Sequence, residues 1–399
     1  MKGTLARKTS LVAVGTATAI LALQVGAGAS VKVHQLAELS GKHASTGALQ
    51  GYNSAISGKT LVVGALGQNS ASGVAYVFTK SGSKWTEAAT LKGKDTVSGD
   101  QFGNAVAISG STIVVGAEGH AGATGAVYVF RGSGKSWKQV AELTVPPSGV
   151  YGQFGWSVAI SGHTLVAGAV NVEGAAFVFT ESGSGKWSST GTKILANDAA
   201  TGDGFGYNVA ISGSTIFASA PYHNAQAGVV YVFTGSGKTW TQRAKLAGKD
   251  TAPSDNFGIG ELSVSFTGNK QYPPGSILVG APLHKAGAGA AYLFSGSGSK
   301  WTQTAEFRAK NGVANDHFGY GGAISGSTIV IGSDHRAPGG VAYVFVRGSK
   351  SWTQQTQFTA KDNKTSDAFG RWVSLEGTTA VVGAPERSSG TGATYIFSV

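Results

Sequence analysis

Short segments in which apolar and polar residues alternate recur along the whole chain, and small Ser-Gly or Gly-Ser turns separate them. One such unit contains the segments 102–109, 112–117, 125–130 and 137–143. A period of two, rich in β-branched and aromatic residues and broken by two-residue turns, is typical of β-strands. No helical pattern competes with it. We therefore predict four short strands in each unit.

The unit occurs seven times. A Phe-Gly pair opens it at six positions, and the slot is degenerate at Gln50-Gly51; the six pairs begin at Phe102, Phe154, Phe205, Phe257, Phe318 and Phe369. We predict that the first strand runs from this slot to an Ile-Ser or similar pair. The slots recur about every fifty residues. A fixed period of this length with four strands per repeat indicates an all-β, seven-bladed β-propeller of four-stranded antiparallel blades.

The two ends of the chain predict how the ring closes. The C-terminus, 395–399, reads as a third strand with no fourth strand after it. Residues 33–39 align with the fourth strand at 137–143, ahead of the first complete unit. We expect this N-terminal strand to pair with the C-terminal blade, which would cover the last open sheet edge.

The recurring Phe-Gly pair and the Gly-Ala end of the second strand resemble the FG-GAP repeat. The full Gly-Ala-Pro stands at Gly280-Ala281-Pro282 and Gly383-Ala384-Pro385, and Ser219-Ala220-Pro221 is close to it. This repeat is known from the seven-bladed, N-terminal propeller of integrin alpha subunits and from many bacterial secreted proteins. The resemblance covers nearly all of the chain after residue 29. It implies the propeller fold, and it implies function only weakly, because one fold hosts many functions.

In integrins, some blades carry a calcium loop of alternating aspartates between the first and second strands. Here those turns are tight and lack clustered carboxylates, as in Ser57-Gly58-Lys59, Ser109-Gly110-Ser111 and Glu376-Gly377-Thr378. Such turns cannot supply the six or more oxygen ligands of a calcium ion. We predict no integrin-type metal site and no cofactor.

The first 29 residues have the pattern of a secretory signal peptide. Lys2, Arg7 and Lys8 precede an apolar run from Leu11 to about Val25, and Ala27-Gly28-Ala29 offers a small-residue cleavage site. A retained membrane anchor is the alternative, although the run is short for a membrane span. We expect residues 30–399 to form a single propeller domain that is extracellular, monomeric and not inserted in a membrane.

Composition adds two constraints. The chain has no cysteine, so disulfides do not hold it together, and its formal net charge is +11. Loss of the signal segment would leave +8, which could favour anionic polymers outside the cell. The basic residues lack the interleaved aromatic residues and motifs of nucleic-acid binders, so no nucleic acid is expected as a partner.

In a propeller the turns between strands two and three share one face, here called the upper face, with the crossings between blades. The residue after Phe-Gly begins the innermost strand there and should face the mouth of the central channel. These residues are our main candidates for ligand binding, although they could instead only fill the channel; they are Tyr52, Asn104, Trp156, Tyr207, Ile259, Tyr320 and Arg371.

Histidines and aspartates decorate the same face. Four of the loops between strands two and three carry a histidine, and we align these four histidines at one position of the repeat; they are His120, His223, His284 and His335. They are candidate ligand contacts or plain surface residues, too far apart to chelate one metal ion. The crossings carry an aspartate two residues before Phe-Gly, which can bind loop amides or a ligand; these are Asp100, Asp203, Asp255, Asp316 and Asp367.

Three features belong to the other face and the outside of the ring. A lysine precedes the fourth strand in six blades, as at Lys84 and Lys135, and forms either a solvated rim or a polyanion-binding rim. The tryptophans that start the outer strands, such as Trp137, should pack between blades. One blade has an enlarged turn, 267–275, that either binds a partner or is tolerated loop growth.

The sequence offers no catalytic motif: it has no cysteine, no Gly-x-Ser-x-Gly and no His-Glu-x-x-His. We therefore predict a secreted, non-catalytic binding or adhesion propeller whose upper face engages an extracellular protein, a glycan or another cell-surface polymer. Two alternatives remain open. One is a lectin that stacks sugars on the aromatic ring, and the other is an extracellular polysaccharide-active or hydrolytic enzyme.

Overall fold

The computed structural model describes residues 31–146, 152–171, 173–265 and 275–399. The predicted signal peptide and most of the enlarged turn at 267–275 lie outside these residues. The described chain forms seven four-stranded antiparallel sheets, which are the predicted blades. No helix in the described ranges is both long and apolar enough to cross a membrane.

Blades 1 to 6 take their strands in chain order from the channel outwards, and blade 7 takes its outer strand from the other end of the chain. Blade 1 contains β2 (Ser54–Ser57), β3 (Thr60–Ala65), β4 (Val74–Ser81) and β5 (Lys84–Leu91), and blade 2 contains β6 (Val106–Ser109), β7 (Thr112–Ala117), β8 (Ala126–Ser133) and β9 (Ser136–Leu143). Blade 3 contains β10 (Val158–Ser161), β11 (Thr164–Ala169), β12 (Ala175–Thr180) and β13 (Thr192–Ile194), and blade 4 contains β14 (Val209–Ser212), β15 (Thr215–Ala220), β16 (Val229–Ser236) and β17 (Thr239–Leu246). Blade 5 contains β18 (Leu262–Ser265), β19 (Ser276–Ala281), β20 (Ala290–Ser297) and β21 (Lys300–Phe307), and blade 6 contains β22 (Phe318–Ser325), β23 (Thr328–Ser333), β24 (Val341–Arg347) and β25 (Trp352–Phe358). Blade 7 contains β26 (Val373–Glu376), β27 (Thr379–Ala384), β28 (Ala393–Ser398) and, from the other end of the chain, β1 (His34–Leu39).

The ring closes as the sequence predicts. Strand β1 pairs antiparallel with β28, from His34 opposite Ser398 to Leu39 opposite Thr394. Leu39 is buried in the cluster between blades 7 and 1, together with Tyr76 of blade 1. Gln50, which replaces the usual phenylalanine of the slot, is fully buried; its Oε1 accepts from Gly41 N–H at 2.6 Å and its Nε2 donates to the Leu39 carbonyl at 2.8 Å. Gln50 thus binds the backbone at the end of the closing strand.

The Phe-Gly and Gly-Ala elements depend on each other because they meet between blades. A Cβ on Gly116, in the Gly-Ala of blade 2, would lie 2.0 Å from the carbonyl oxygen of Gly155, in the Phe-Gly of blade 3. Gly155 has a φ of +90°, a conformation that glycine adopts far more readily than other residues. The motif is therefore a packing device that lets two backbones come into contact.

The hydrophobic core lies between neighbouring blades. Phe102, for example, packs with Val62 and Ala75 of blade 1 and with Tyr128 of its own blade, its ring centroid 5.4 Å from that of Tyr128. The tryptophans also pack there: the ring of Trp301 in blade 5 lies edge-on to Phe217 of blade 4 at 5.2 Å. Such burial of apolar surface is the main favourable term in folding.

The structure corrects three details of the predicted strands. Except in blade 6, the first strand begins four or five residues after the first residue of the Phe-Gly slot, because the residues around the slot are left-handed, with φ of 57° at Gln101 and 95° at Gly103. The Trp187 residue precedes the short β13 and makes only an isolated bridge with Glu181. Five loops form four-residue helical turns that contain left-handed residues, α1 (Gln68–Ala71), α2 (His120–Ala123), α3 (His223–Gln226), α4 (His284–Gly287) and α5 (Arg387–Gly390).

Candidate functional site

The seven first strands surround a central cavity of about 340 Å³. The residue after Phe-Gly in every blade lies in its lining, as the sequence predicts: Tyr52, Asn104, Trp156, Tyr207, Ile259, Tyr320 and Arg371. The left-handed backbone at the slot turns each of these residues inwards before its strand begins. A closed ring thus assembles one site from positions about fifty residues apart in the sequence.

Two aromatic side chains form a pair in this lining. The rings of Trp156 and Tyr207 are 5.2 Å apart at 57°, and Tyr207 lies edge-on to the partly exposed Tyr222 at 5.9 Å. Burial, with the nearby tyrosines, raises the pKa of Tyr207 above its ordinary value. Its hydroxyl therefore stays protonated and can donate a hydrogen bond. Flat apolar faces with polar tips are suited to stacking on a ligand.

On the opposite part of the lining, Arg371 is held by three neighbours. Its guanidinium lies 4.2 Å from the ring centroid of Tyr320 and 6.0 Å from that of Tyr52. Its Nη1 donates to Asp334 Oδ2 at 3.0 Å. Burial is the main reason that the pKa of Tyr320 is raised to about 12. The arginine is thus fixed in place, with its charge balanced by Asp334.

Asn104 and Ile259 complete the set in a different way. The buried Asn104 donates from Nδ2 to the carbonyl oxygens of Gly155 and Trp156 at 3.2 and 3.0 Å, which ties blade 2 to blade 3. Ile259 contributes only an apolar surface. The structure therefore assigns Asn104 a structural bond, and it leaves the aromatic residues and Arg371 as the principal ligand-facing groups.

Two carboxylates in the cavity were missed by the sequence analysis. Glu118 is buried, and desolvation raises its pKa to about 7. Glu261 is part of the same lining; desolvation raises its pKa well above the ordinary value, although Oε2 accepts from Gly322 N–H at 3.2 Å and Val373 N–H at 3.3 Å. One signal was available for Glu118, because it occupies the proline slot of Gly-Ala-Pro, as Asp334 does in blade 6.

The predicted role of the crossing aspartates as loop ligands is confirmed. Each of the five accepts a hydrogen bond from the backbone N–H three residues before it, at 2.7–2.9 Å. In three blades the same carboxylate also contacts the histidine in the loop between the second and third strands of the blade that the crossing enters. Nδ1 of His120, His223 and His284 lies 2.8, 2.8 and 2.7 Å from Asp100, Asp203 and Asp255. These three histidines therefore brace the loops of the upper face.

His335 is not equivalent to the other three histidines, contrary to our alignment. It precedes the repeat position by one residue, and Arg336 occupies that position and pairs with Asp316 at 2.6 Å. His335 instead stacks on His317, with ring centroids 4.1 Å apart. The expectation of one isolated histidine per blade is wrong here, because His317 comes from the crossing that leads into the same blade.

Three groups of side chains in the described residues could hold a metal ion, each with its ligand atoms within 4.8 Å of one another. They are Asp95, His120 and Glu142; Asp250, His284 and Glu306; and His317, Asp334 and His335. None of these groups lies in a loop between a first and a second strand. They therefore differ in place and in ligand type from the calcium loops of integrins.

The fold and this lining define a seven-bladed propeller with a candidate binding site at the mouth of its channel. The FG-GAP repeat profile matches residues 85–130, 137–184, 187–233, 240–294, 301–345 and 352–397. These segments cover more than half of the chain, so it belongs to the FG-GAP repeat family. The unmatched part includes residues 50–84, which are most of the unit with Gln50 in place of phenylalanine.

Other comparisons add only the fold. No curated protein matches the chain. A chain in a crystal structure of the mitotic checkpoint complex superposes with a TM-score of 0.57 at 10% sequence identity, covering 100% of this chain and 99% of that one. At this identity the similarity concerns the propeller architecture alone.

Proposed function

We propose that this chain is a secreted, non-catalytic binding propeller that engages an extracellular protein or surface polymer through the channel mouth on its upper face. The observation that carries the proposal is the convergence of four aromatic side chains and a fixed arginine on one cavity. Membership of the FG-GAP repeat family supports a protein-binding and non-catalytic role.

The lining also indicates what chemistry the bound group would have. The charge of Arg371 is already balanced by Asp334, and a raised pKa keeps much of Glu118 neutral near pH 7. A strongly charged group would therefore find little compensation in this cavity. A flat or apolar group with neutral hydrogen-bonding atoms fits better, since it can stack on Trp156 and Tyr207 and reach their polar tips.

The test is binding of residues 31–399 to an array of glycans, cell-wall polymers and extracellular proteins. We expect the double variant Trp156→Ala, Tyr207→Ala to lose about tenfold or more of its affinity for every probe that the wild type binds. Val97→Ala, a truncation of a 63% exposed residue on an upper-face crossing, is the matched control and should bind normally. Unchanged binding by the double variant would place the site elsewhere.

A lectin is the second candidate, and the Trp156–Tyr207 pair is the observation that favours it. Sugars stack on such aromatic faces. Competition with simple monosaccharides in the same array separates the two: they should displace a glycan held by this pair, and they should leave a protein partner bound. A high-salt arm identifies binding through the lysine rim, because exposed charges are screened by salt.

A further inference from the structure

His317, Asp334 and His335 form a compact cluster at the upper face of blade 6. His317 lies in the crossing that enters the blade, whereas Asp334 and His335 lie in the loop after β23. His317 Nδ1 is 3.8 Å from Asp334 Oδ1, and the two imidazole rings stack at 4.1 Å with 28° between their planes. Two separate loops thus bring two imidazoles and one carboxylate together.

Asp334 is the unusual member of this cluster. Its side chain is 0% exposed, and Oδ2 accepts the hydrogen bond from Arg371, but Oδ1 has no hydrogen-bond partner. An unpartnered carboxylate oxygen is expensive to bury. Oδ1 lies on the side of His317, so a cation bound between them would satisfy it.

The backbone around the cluster is held in place. His317 N–H donates to the Gly287 carbonyl at 2.8 Å, and φ of 57° at His317 turns the crossing at this point. In the other loop, Ser333 Oγ donates to the carbonyl oxygen of Asp316 at 2.8 Å. Because His335 is exposed, its ring has room to approach a bound ion, and solvent can reach the site.

We propose that His317, Asp334 and His335 bind one divalent first-row transition-metal ion, such as Zn²⁺. Neutral imidazole nitrogens with a carboxylate oxygen are ligands that such ions prefer, and three protein ligands leave a coordination position open for water or a ligand. Arg371, which donates to Asp334 Oδ2, would hold this carboxylate in the orientation that turns Oδ1 towards the ion. This property goes beyond the proposed function, since metal binding requires no partner.

The two other clusters carry weaker arguments. His120 and His284 already use Nδ1 to contact Asp100 and Asp255. In the second of these clusters, Arg308 Nη2 lies 2.7 Å from Asp250 and 2.8 Å from His284 Nε2, so a guanidinium already occupies the place of a cation. The cluster in blade 6 has both the imidazoles and the unpartnered oxygen.

The test is calorimetric titration of chelator-treated residues 31–399 with Zn²⁺, and with Co²⁺ followed by its visible absorption. We expect one saturable site, and we expect His335→Ala to weaken it by roughly 10- to 100-fold. His120→Ala, which removes a histidine of the first cluster, should bind like the wild type. Unfolding curves without metal show whether each variant is folded.

Asp334→Asn is a second variant, which keeps the shape of the side chain and removes the anionic ligand; it should also weaken binding. Absence of saturable binding by the folded wild type, or equal affinity of wild type and His335→Ala, would overturn the proposal. An equal loss in His120→Ala would do the same. Because no partner is present in this assay, its result is independent of the array experiment.

Discussion

At the scale of single residues, Glu118 shows how the ring changes the chemistry of a side chain. It follows Gly116-Ala117 in an ordinary loop, yet desolvation in the assembled channel raises its pKa from 4.5 to about 7. The folded state therefore binds a proton that the unfolded state releases between these two values. Stability from this group is complete below about pH 4.5 and is lost as the pH rises to about 7.

The variant Glu118→Gln tests this linkage. Glutamine keeps the size of the side chain but does not titrate, so the fall in the free energy of unfolding between about pH 4.5 and pH 7 should be smaller in the variant by on the order of 3 kcal/mol. Urea unfolding at several pH values measures it. Glu261 contributes in the same direction in both proteins, so the difference isolates Glu118. Parallel curves for the two proteins would contradict the prediction.

Some residues of the candidate site could be predicted from the sequence, and others could not, for a physical reason. The Asp100 type of turn is local, because the carboxylate binds an amide three residues away, and it was predicted correctly. The ring of Tyr52 and its equivalents followed from the repeat alone. Glu118, Glu261 and the His317–His335 stack depend on burial and on contacts between separate loops, and neither property can be read from local pattern.

At the scale of elements, the strand pattern was predicted well because each blade is a local unit. The boundaries that differ are those where backbone conformation overrides alternation: the left-handed Gln101 and Gly103 delay the first strand. The left-handed residues in the turns α1–α5 were not foreseen either. Serine, alanine and asparagine at positive φ carry a conformational cost that the surrounding packing must offset.

The closing strand β1 provides the test at this scale, because two leucines on it differ in environment. Leu39 is buried between blades 7 and 1, whereas Leu36 is 46% exposed. Leu39→Ala should lower the free energy of unfolding by about 2–4 kcal/mol through lost burial and the cavity left behind. Leu36→Ala should change it by no more than about 0.5 kcal/mol. Similar values for both would mean that β1 contributes little to closure.

At the scale of the whole molecule, ring closure pairs strands from the two ends of the described chain, β1 with β28. The other blades take all four strands from one continuous segment, and blade 7 takes its outer strand from the opposite end of the sequence. Closure over so long a separation costs chain entropy, but that cost grows only slowly with loop length. The native pairing, rather than the order of strands in the chain, should therefore determine stability.

A circular permutant examines this directly. Cutting residues 31–399 after the exposed Lys42 and joining 31–42 to Val399 through a Gly-Ser turn, like that at 82–83, places β1 after β28 as a hairpin. Every strand pairing and the two bonds from Gln50 to Leu39 and Gly41 can then form as before.

The permutant should unfold cooperatively within a few degrees of the parent. A chain that simply lacks 31–42 should unfold at a clearly lower temperature, because β28 becomes an open edge and Gln50 loses its partners. If the permutant were as unstable as the deletion, the position of β1 in the chain, and not its pairing with β28, would hold the ring closed.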